Sequence, residues 1–293
     1  MNYRKSWSEH LFDTSNITFL VLLSLITLYP FVYVLFASLS DPVAFVQHRG
    51  LFMWPKGFTL ESYRLVFENP NIIMGYGNTL FYVVVGTLLS LLMTSLGAYG
   101  LSRKNVLWKN TIMFMIVLTM FFEGGLIPKY ILMLNLGLVD SRWALIIPSA
   151  ILTWNLIIMR TAFQGIPVTL EESARIDGAN DLTILFRVII PLSLPVMAVM
   201  VLFYGVWHWN KWFDALIYLR SRDLFPLQLI LREILIQNST DNMTTSVGGG
   251  DKMPIGETIK YATIMVATLP ILFLYPFLQK YFVKGVMIGA IKE

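Results

Sequence analysis

Six apolar runs of membrane-crossing length constrain this chain more than any other feature: Ile17–Leu39, Asn78–Leu101, Thr111–Leu134, Trp143–Phe163, Val188–Trp207 and Ile259–Phe282. A helix rises about 1.5 Å per residue, so about twenty apolar residues cross a hydrocarbon core about 30 Å thick. No water waits there to pair with a backbone amide, so each run must satisfy its own backbone as a helix. Charged residues make up 14% of the 293 and hydrophobic ones 56%, whereas about a quarter of a soluble domain is charged. No long polar block remains to build a separate soluble domain. The expected fold is all-α, a polytopic membrane protein with six transmembrane helices in one domain over 17–283, flanked by tails at 1–16 and 284–293.

Arg4 and Lys5 precede the first run in the charge order of a signal peptide. The run is too long for an h-region of about 7–15 residues, and no A-x-A site follows, so it reads as an uncleaved first span. Six spans put both termini on one side. With the amino terminus in the cytoplasm, Arg103, Lys104 and Lys109 fall in a short inner loop, Arg160, Arg175 and Arg187 around a second, and Lys280, Lys284 and Lys292 at an inner tail. The positive-inside bias then shows as higher basic density in the shorter inner segments. Pro30, Pro128, Pro148, Pro191, Pro195, Pro270 and Pro276 lie within or beside the runs, where neighbouring helices or water can satisfy the carbonyls that proline frees.

Several function classes are excluded by what the chain does not contain. The net charge of +4 suits cytoplasmic Lys and Arg in a membrane protein better than nucleic-acid binding. There is no cysteine, hence no disulfide, thiolate nucleophile or Cys-ligated metal. His10, His48 and His208 make no H-E-x-x-H pair, and neither G-x-S-x-G nor a Walker A sequence occurs. No catalytic residue, metal site or bound cofactor is therefore expected in this chain.

The most informative segment lies between the fourth and fifth runs, at 164–191. Thr169 and Glu172 have the spacing of a capping box, Asp177-Gly178 marks a helix stop, and Asn180 or Asp181 can cap a second helix. Leu182, Leu185, Phe186 and Ile189 follow i, i+3, i+4, i+7 spacing up to Pro191. Two short helices around a glycine turn are expected.

The residues Glu172-Ser173-Ala174, then Asp177-Gly178-Ala179, Phe186 and Pro191 resemble the EAA loop of ABC importer permeases, whose pattern is E-A-A-x-x-x-D-G-A followed by phenylalanine and proline. Only Ser173 departs, and serine is still small. Leu126 to Tyr130, Leu136 to Ser141, Trp209 to Phe213 and Lys280 to Gly285 extend the resemblance to the carbohydrate-uptake branch, similar to the smaller permease of maltose-type importers. Glu123 to Pro128 more narrowly resembles subunits importing larger oligosaccharides, uronate-containing ones such as alginate fragments among them. The resemblance implies a type I ABC importer permease fold, placed in a bacterial cytoplasmic membrane. It also implies a second permease completing a heterodimer, two subunits that bind ATP and Mg, an extracytoplasmic solute-binding protein, a carbohydrate substrate and alternating access. In that family the inner loop docks on the ATPase, which makes Glu171, Glu172, Ser173, Ala174, Asp177, Gly178, Ala179, Phe186 and Pro191 the candidate coupling residues. Small residues there would allow close approach, and Phe186 offers an apolar anchor.

A sugar path wants amides and aromatic faces, and the candidates are Glu123, Asn155, Tyr204, Trp207, Trp209 and Asn210. Against this stand an interfacial aromatic belt for the Trp and Tyr residues and helix–helix hydrogen bonding for Asn155. His208 reads as interfacial, Arg160 as snorkelling to the inner surface, and Lys211, Asp214 and Arg220 to Asp223 as solvated surface. An ion-coupled secondary transporter would require acidic residues deep in several spans, and only Glu123 stands out.

Overall fold

The computed structural model describes residues 6–236, 256–273 and 276. Among these the chain is helical, with no strand and one isolated bridge between Ser40 and Phe58. The Lys280 to Gly285 segment and the tail at 284–293 lie outside the described residues, as does the end of the sixth apolar run. The chain divides into two compact units, Met1–Asn69 with Ile234–Thr268, and Pro70–Glu233 with Leu269–Glu293.

In the first unit α1 (Trp7–Ser38) is a single helix of 32 residues. It starts well ahead of the apolar run, where the Glu9 carboxylate accepts the Ser6 N–H at 2.7 Å, occupying a donor that the helix start leaves free. Its apolar side chains point outward almost everywhere, and only Ala37 and Ser38 are buried, an arrangement suited to lipid. The short helices α2 (Pro42–Gln47) and α3 (Glu61–Glu68) follow. Asp41 caps α2 by accepting the Ala44 N–H at 2.9 Å, with Pro42 at the first position, where a missing N–H costs nothing. Residues 256–273 form a further helix. Tyr33, Phe45, Phe52 and Tyr261 pack edge to face with ring centroids 5.4 to 5.8 Å apart, the geometry the ring quadrupoles prefer.

The second unit is organised on α4 (Pro70–Ser102), a helix of 33 residues. Along it come α5 (Lys109–Leu118), α6 (Leu126–Asn135), α7 (Trp143–Ile146) and α8 (Thr153–Gln164). The segment at 164–191 carries α9 (Val168–Ile176), α10 (Asp181–Ile184), a π-helical turn (Leu185–Ile189) and α11 (Ile190–Leu192). Then come α12 (Leu194–Trp209), α13 (Phe213–Tyr218) and α14 (Leu227–Ile236), whose last turn falls in the first unit. α4 packs against α8 and α12, and the residues it buries are mostly small or polar: Gly75, Gly86, Thr87, Ser90, Thr94, Ser95 and Ala98 among them. Helices in lipid gain nothing from hiding leucine, so close backbone approach through small residues is what holds them. At Gly86 a Cβ would lie 2.6 Å from the His208 ring.

α1 and α4 are long and apolar enough to cross a membrane unbroken. Two bent pairs have the composition of further spans: Trp143–Ser149 with Thr153–Gln164, bent by 48°, and Asp181–Leu192 with Leu194–Trp209, bent by 89°. The fifth run, with Pro191 and Pro195 inside it, therefore turns at Ser193, and only α12 continues in the new direction. The third run is carried by the shorter apolar helices α5 and α6. Between them Gly125 adopts φ +82°, which glycine reaches at little steric cost.

Candidate functional site

The segment at 164–191 folds as two short helices around a glycine turn, with different capping from that expected. α9 starts at Val168 behind Pro167, and no side chain caps it. Pro167 at φ −57° is already locked near the helical value, so the helix begins early and Thr169 lies inside its first turn. The Thr169–Glu172 capping box does not form. At the other end Gly178 has φ +82°, the Gly178 N–H donates to the Arg175 carbonyl at 3.0 Å, and the Ala179 N–H reaches the Ala174 carbonyl at 2.9 Å. This pair of bonds is the Schellman closure that a C′ glycine permits. Asn180, rather than Asp181, caps the next helix by accepting the Thr183 N–H at 2.8 Å. Asp181 instead pairs with Arg175 across the turn.

The apolar spacing beyond the turn also resolves differently. Ile184, Leu185 and Ile189 are buried, while Leu182 and Phe186 are 57% and 46% exposed. A π turn follows over Leu185–Ile189, in which the Ile190 N–H donates to the Leu185 carbonyl, five residues back, so the backbone there is wider than a regular α-turn. The wider turn also accommodates the Pro191 ring, which in a regular helix clashes with the carbonyl four residues earlier. Helix continues past Pro191 to Leu192.

The buried side of the segment joins a core of Ala98, Tyr99, Leu156, Met159, Phe163, Ile184, Leu185, Ile189, Met200 and Tyr204, with Ala174 and Ala179 packed against it. Glu171 is buried and pairs with Arg103. Glu172, Ser173, Asp177, Gly178, Phe186 and Pro191 are exposed, as is Ile176 at 87%. The nine candidates therefore separate. Glu171, Ala174 and Ala179 face the helices above, and the other six, with Ile176 and Leu182, stand on the open side.

The six path candidates are not gathered at one place. Tyr204 is fully buried, its hydroxyl 2.6 Å from Thr94 Oγ1 and accepting the Leu152 N–H at 3.2 Å, which bridges α4, α12 and the break before α8. Asn155 and Trp209 are buried. Glu123 is exposed and pairs with Lys129 at 2.8 Å. Trp207 and Asn210 are exposed and line a shallow concavity of about 430 Å³ with Trp212 and Phe213.

Three residues read as surface or interface groups are structural instead. His208 is buried against Gly86. The Arg160 Nε donates to the Leu101 carbonyl at 3.0 Å, satisfying an end carbonyl of α4. Lys211 is 6% exposed. Its Nζ donates to the Leu145 carbonyl at 2.5 Å and to Ser149 Oγ at 2.6 Å, with the Asp214 carboxylate 3.3 Å away. It thus satisfies polar atoms where Pro148 breaks the fourth run. A lysine set among Trp209, Trp212 and Phe213 was the available signal, since bulky neighbours on both sides disfavour a solvated head. Arg103 carried no such signal, because a basic residue closing an apolar run looks like any inner-loop charge.

Asp140, before α7, has φ +60°. Its carboxylate accepts the Ser221 hydroxyl at 2.5 Å and the N–H groups of Ser221 and Arg220 at 2.7 and 2.8 Å. The Ser221 hydroxyl and these amides hold the carboxyl below the usual carboxylate range, because hydrogen bonds favour the charged form.

Comparison with known proteins agrees with this architecture. Residues 106–288 match the family described as binding-protein-dependent transport system inner membrane component. The chain is 43% identical to the polygalacturonan/rhamnogalacturonan transport system permease protein YtcP of Bacillus subtilis, over 97% of this chain and 99% of that one. It is 28% identical to the arabinooligosaccharides transport system permease protein AraQ of the same organism, over 94% of each. Among solved structures it matches a chain from the crystal structure of a bacterial ABC transporter involved in the import of the acidic polysaccharide alginate, with a TM-score of 0.88 and 33% identity, covering 96% of this chain and 100% of that chain. An all-α membrane chain without an enzymatic site, matched along nearly its whole length, belongs to the binding-protein-dependent inner-membrane components, the permeases of ABC importers.

Proposed function

We propose that this chain is one half of a heterodimeric permease that imports uronate-containing oligosaccharides by alternating access. The observation that carries the substrate class is the whole-length likeness to YtcP, a polygalacturonan/rhamnogalacturonan permease, and to a component of an alginate importer. Both are named for acidic polysaccharides. A binding protein delivers the oligosaccharide to the outer face, two separate subunits bind and hydrolyse Mg-ATP, and a companion permease completes the path. The chain sits in the bacterial cytoplasmic membrane with both termini in the cytoplasm.

The inner segment at 164–191 is the proposed docking element for the ATPase. What supports this is its two-sidedness. Ile184, Leu185 and Ile189 anchor it, while Ile176, Leu182 and Phe186 leave apolar side chains exposed on a rigidly capped turn, the arrangement helix-in-groove recognition needs. Of the path candidates, Trp207 and Asn210 are proposed to meet sugar, an aromatic face beside an amide. Tyr204, Asn155 and Trp209 support the helices around them.

The test is reconstitution of this chain with its companion permease, ATPase and binding protein in proteoliposomes. Oligogalacturonates should raise ATP turnover when the binding protein is present, and neutral maltooligosaccharides should not. Equal stimulation by neutral sugars would remove the acidic-substrate reading. Uptake driven by an ion gradient without the ATPase would remove the importer reading.

A further inference from the structure

α9 is held to the bundle in an unusual way. A surface helix normally anchors through an apolar stripe, yet the one residue α9 buries is Glu171. Its partner Arg103 follows directly on α4, and the side chains of the pair are 16% and 6% exposed for Arg103 and Glu171. Arg103 also donates from Nη2 to the Phe163 carbonyl near the end of α8 at 3.0 Å, and from Nε to Ser102 Oγ at 2.9 Å. Its guanidinium lies 5.0 Å from the centre of the Tyr99 ring. Three elements, α4, α8 and α9, therefore meet on one guanidinium.

We propose that the Arg103–Glu171 pair is the strut through which displacement of α9 is passed to α4 and α8, a positioning role that rests on the coupling reading above. An apolar contact is non-directional and lets helices slide. A guanidinium fork bound to a carboxylate and a carbonyl is directional, and its burial spares it the solvent screening that weakens exposed pairs. The remaining acids of the segment, Glu172, Asp177 and Asp181, are exposed, so none of them substitutes for Glu171. Gln in place of Glu171 keeps the size and removes the charge, whereas Gln in place of Arg103 removes the charge and shortens the side chain, so each breaks the ion pair while Glu171→Gln leaves the other Arg103 contacts in place.

The experiment compares Glu171→Gln, Arg103→Gln and the double variant in the full reconstituted importer, reading sugar transported per ATP hydrolysed and the amount of ATPase that co-purifies. Each single variant should retain its ATPase and hydrolyse ATP, but transport about ten-fold less sugar per ATP. The double variant should fall no further than the poorer single, because the two residues act as one unit. Multiplied losses in the double variant, or an unchanged ratio in Glu171→Gln, overturn the strut. Single variants that fail to accumulate in the membrane overturn it too, since the pair would then be a folding element. If the unmodified chain co-purifies with no ATPase, the coupling reading itself fails, a distinct result.

Discussion

Gly178 carries a conformational constraint in the 164–191 segment. A Cβ there would meet nothing within 4 Å, so the constraint is conformational, set by φ +82°. Gly178→Val should cost about 1–3 kcal/mol of strain in the closed turn, whereas Gly178→Asn, which tolerates the left-handed region, should cost less. The expected outcome is loss of uptake in the valine variant with insertion unchanged and partial activity in the asparagine variant, measured as sugar accumulation against membrane abundance. Asp140 gives a pH prediction. Its folded pKa is depressed, so its contribution to stability is fully present above the unfolded Asp value of about 4 and lost as pH falls through the lower folded value. The gap in melting temperature between the native chain and Asp140→Asn should be constant above about pH 5 and close only under stronger acid.

At the scale of elements, α4 is built for close approach. Gly86→Ala should destabilise the α4–α12 contact by about 1–3 kcal/mol through overpacking against His208, read as a lower melting temperature in detergent. Lys211→Met removes the ammonium from the Leu145 carbonyl and the Ser149 hydroxyl, which keep a long mutual contact of 3.3 Å, and should cost about 1–3 kcal/mol; a stability unchanged from the native chain would show that water replaces the ammonium. How far these elements could be read beforehand depends on what sets them. The long runs of α1 and α4 were legible because length and apolarity follow directly from bilayer thickness, and so was the glycine stop at Gly178, because local backbone sterics decide it. The start of α9 was misplaced because Pro167 displaced Thr169 as the entry point. The apolar spacing over 182–189 did not say which members turn inward: Leu185 and Ile189 are buried and Leu182 and Phe186 exposed because of how the segment packs against α4, α8 and α12. The burial of Glu171 and His208 depends on Arg103 and Gly86, far away in the chain, which no local pattern encodes.

For the molecule as a whole, membership in the binding-protein-dependent permeases makes the capped, exposed turn around Gly178 the place where the proposed coupling is tested. The unmodified sequence contains no cysteine, so one thiol introduced at Ile176, which is 87% exposed, reports that position alone. The decisive measurement is thiol cross-linking of Ile176→Cys in inside-out vesicles that hold the assembled importer. The proposed mechanism predicts a product joining this chain to the ATP-hydrolysing subunit, formed from the cytoplasmic side and arresting uptake. Reaction of that thiol only from the outer side, or an ATPase never captured in a transporting complex, would contradict it.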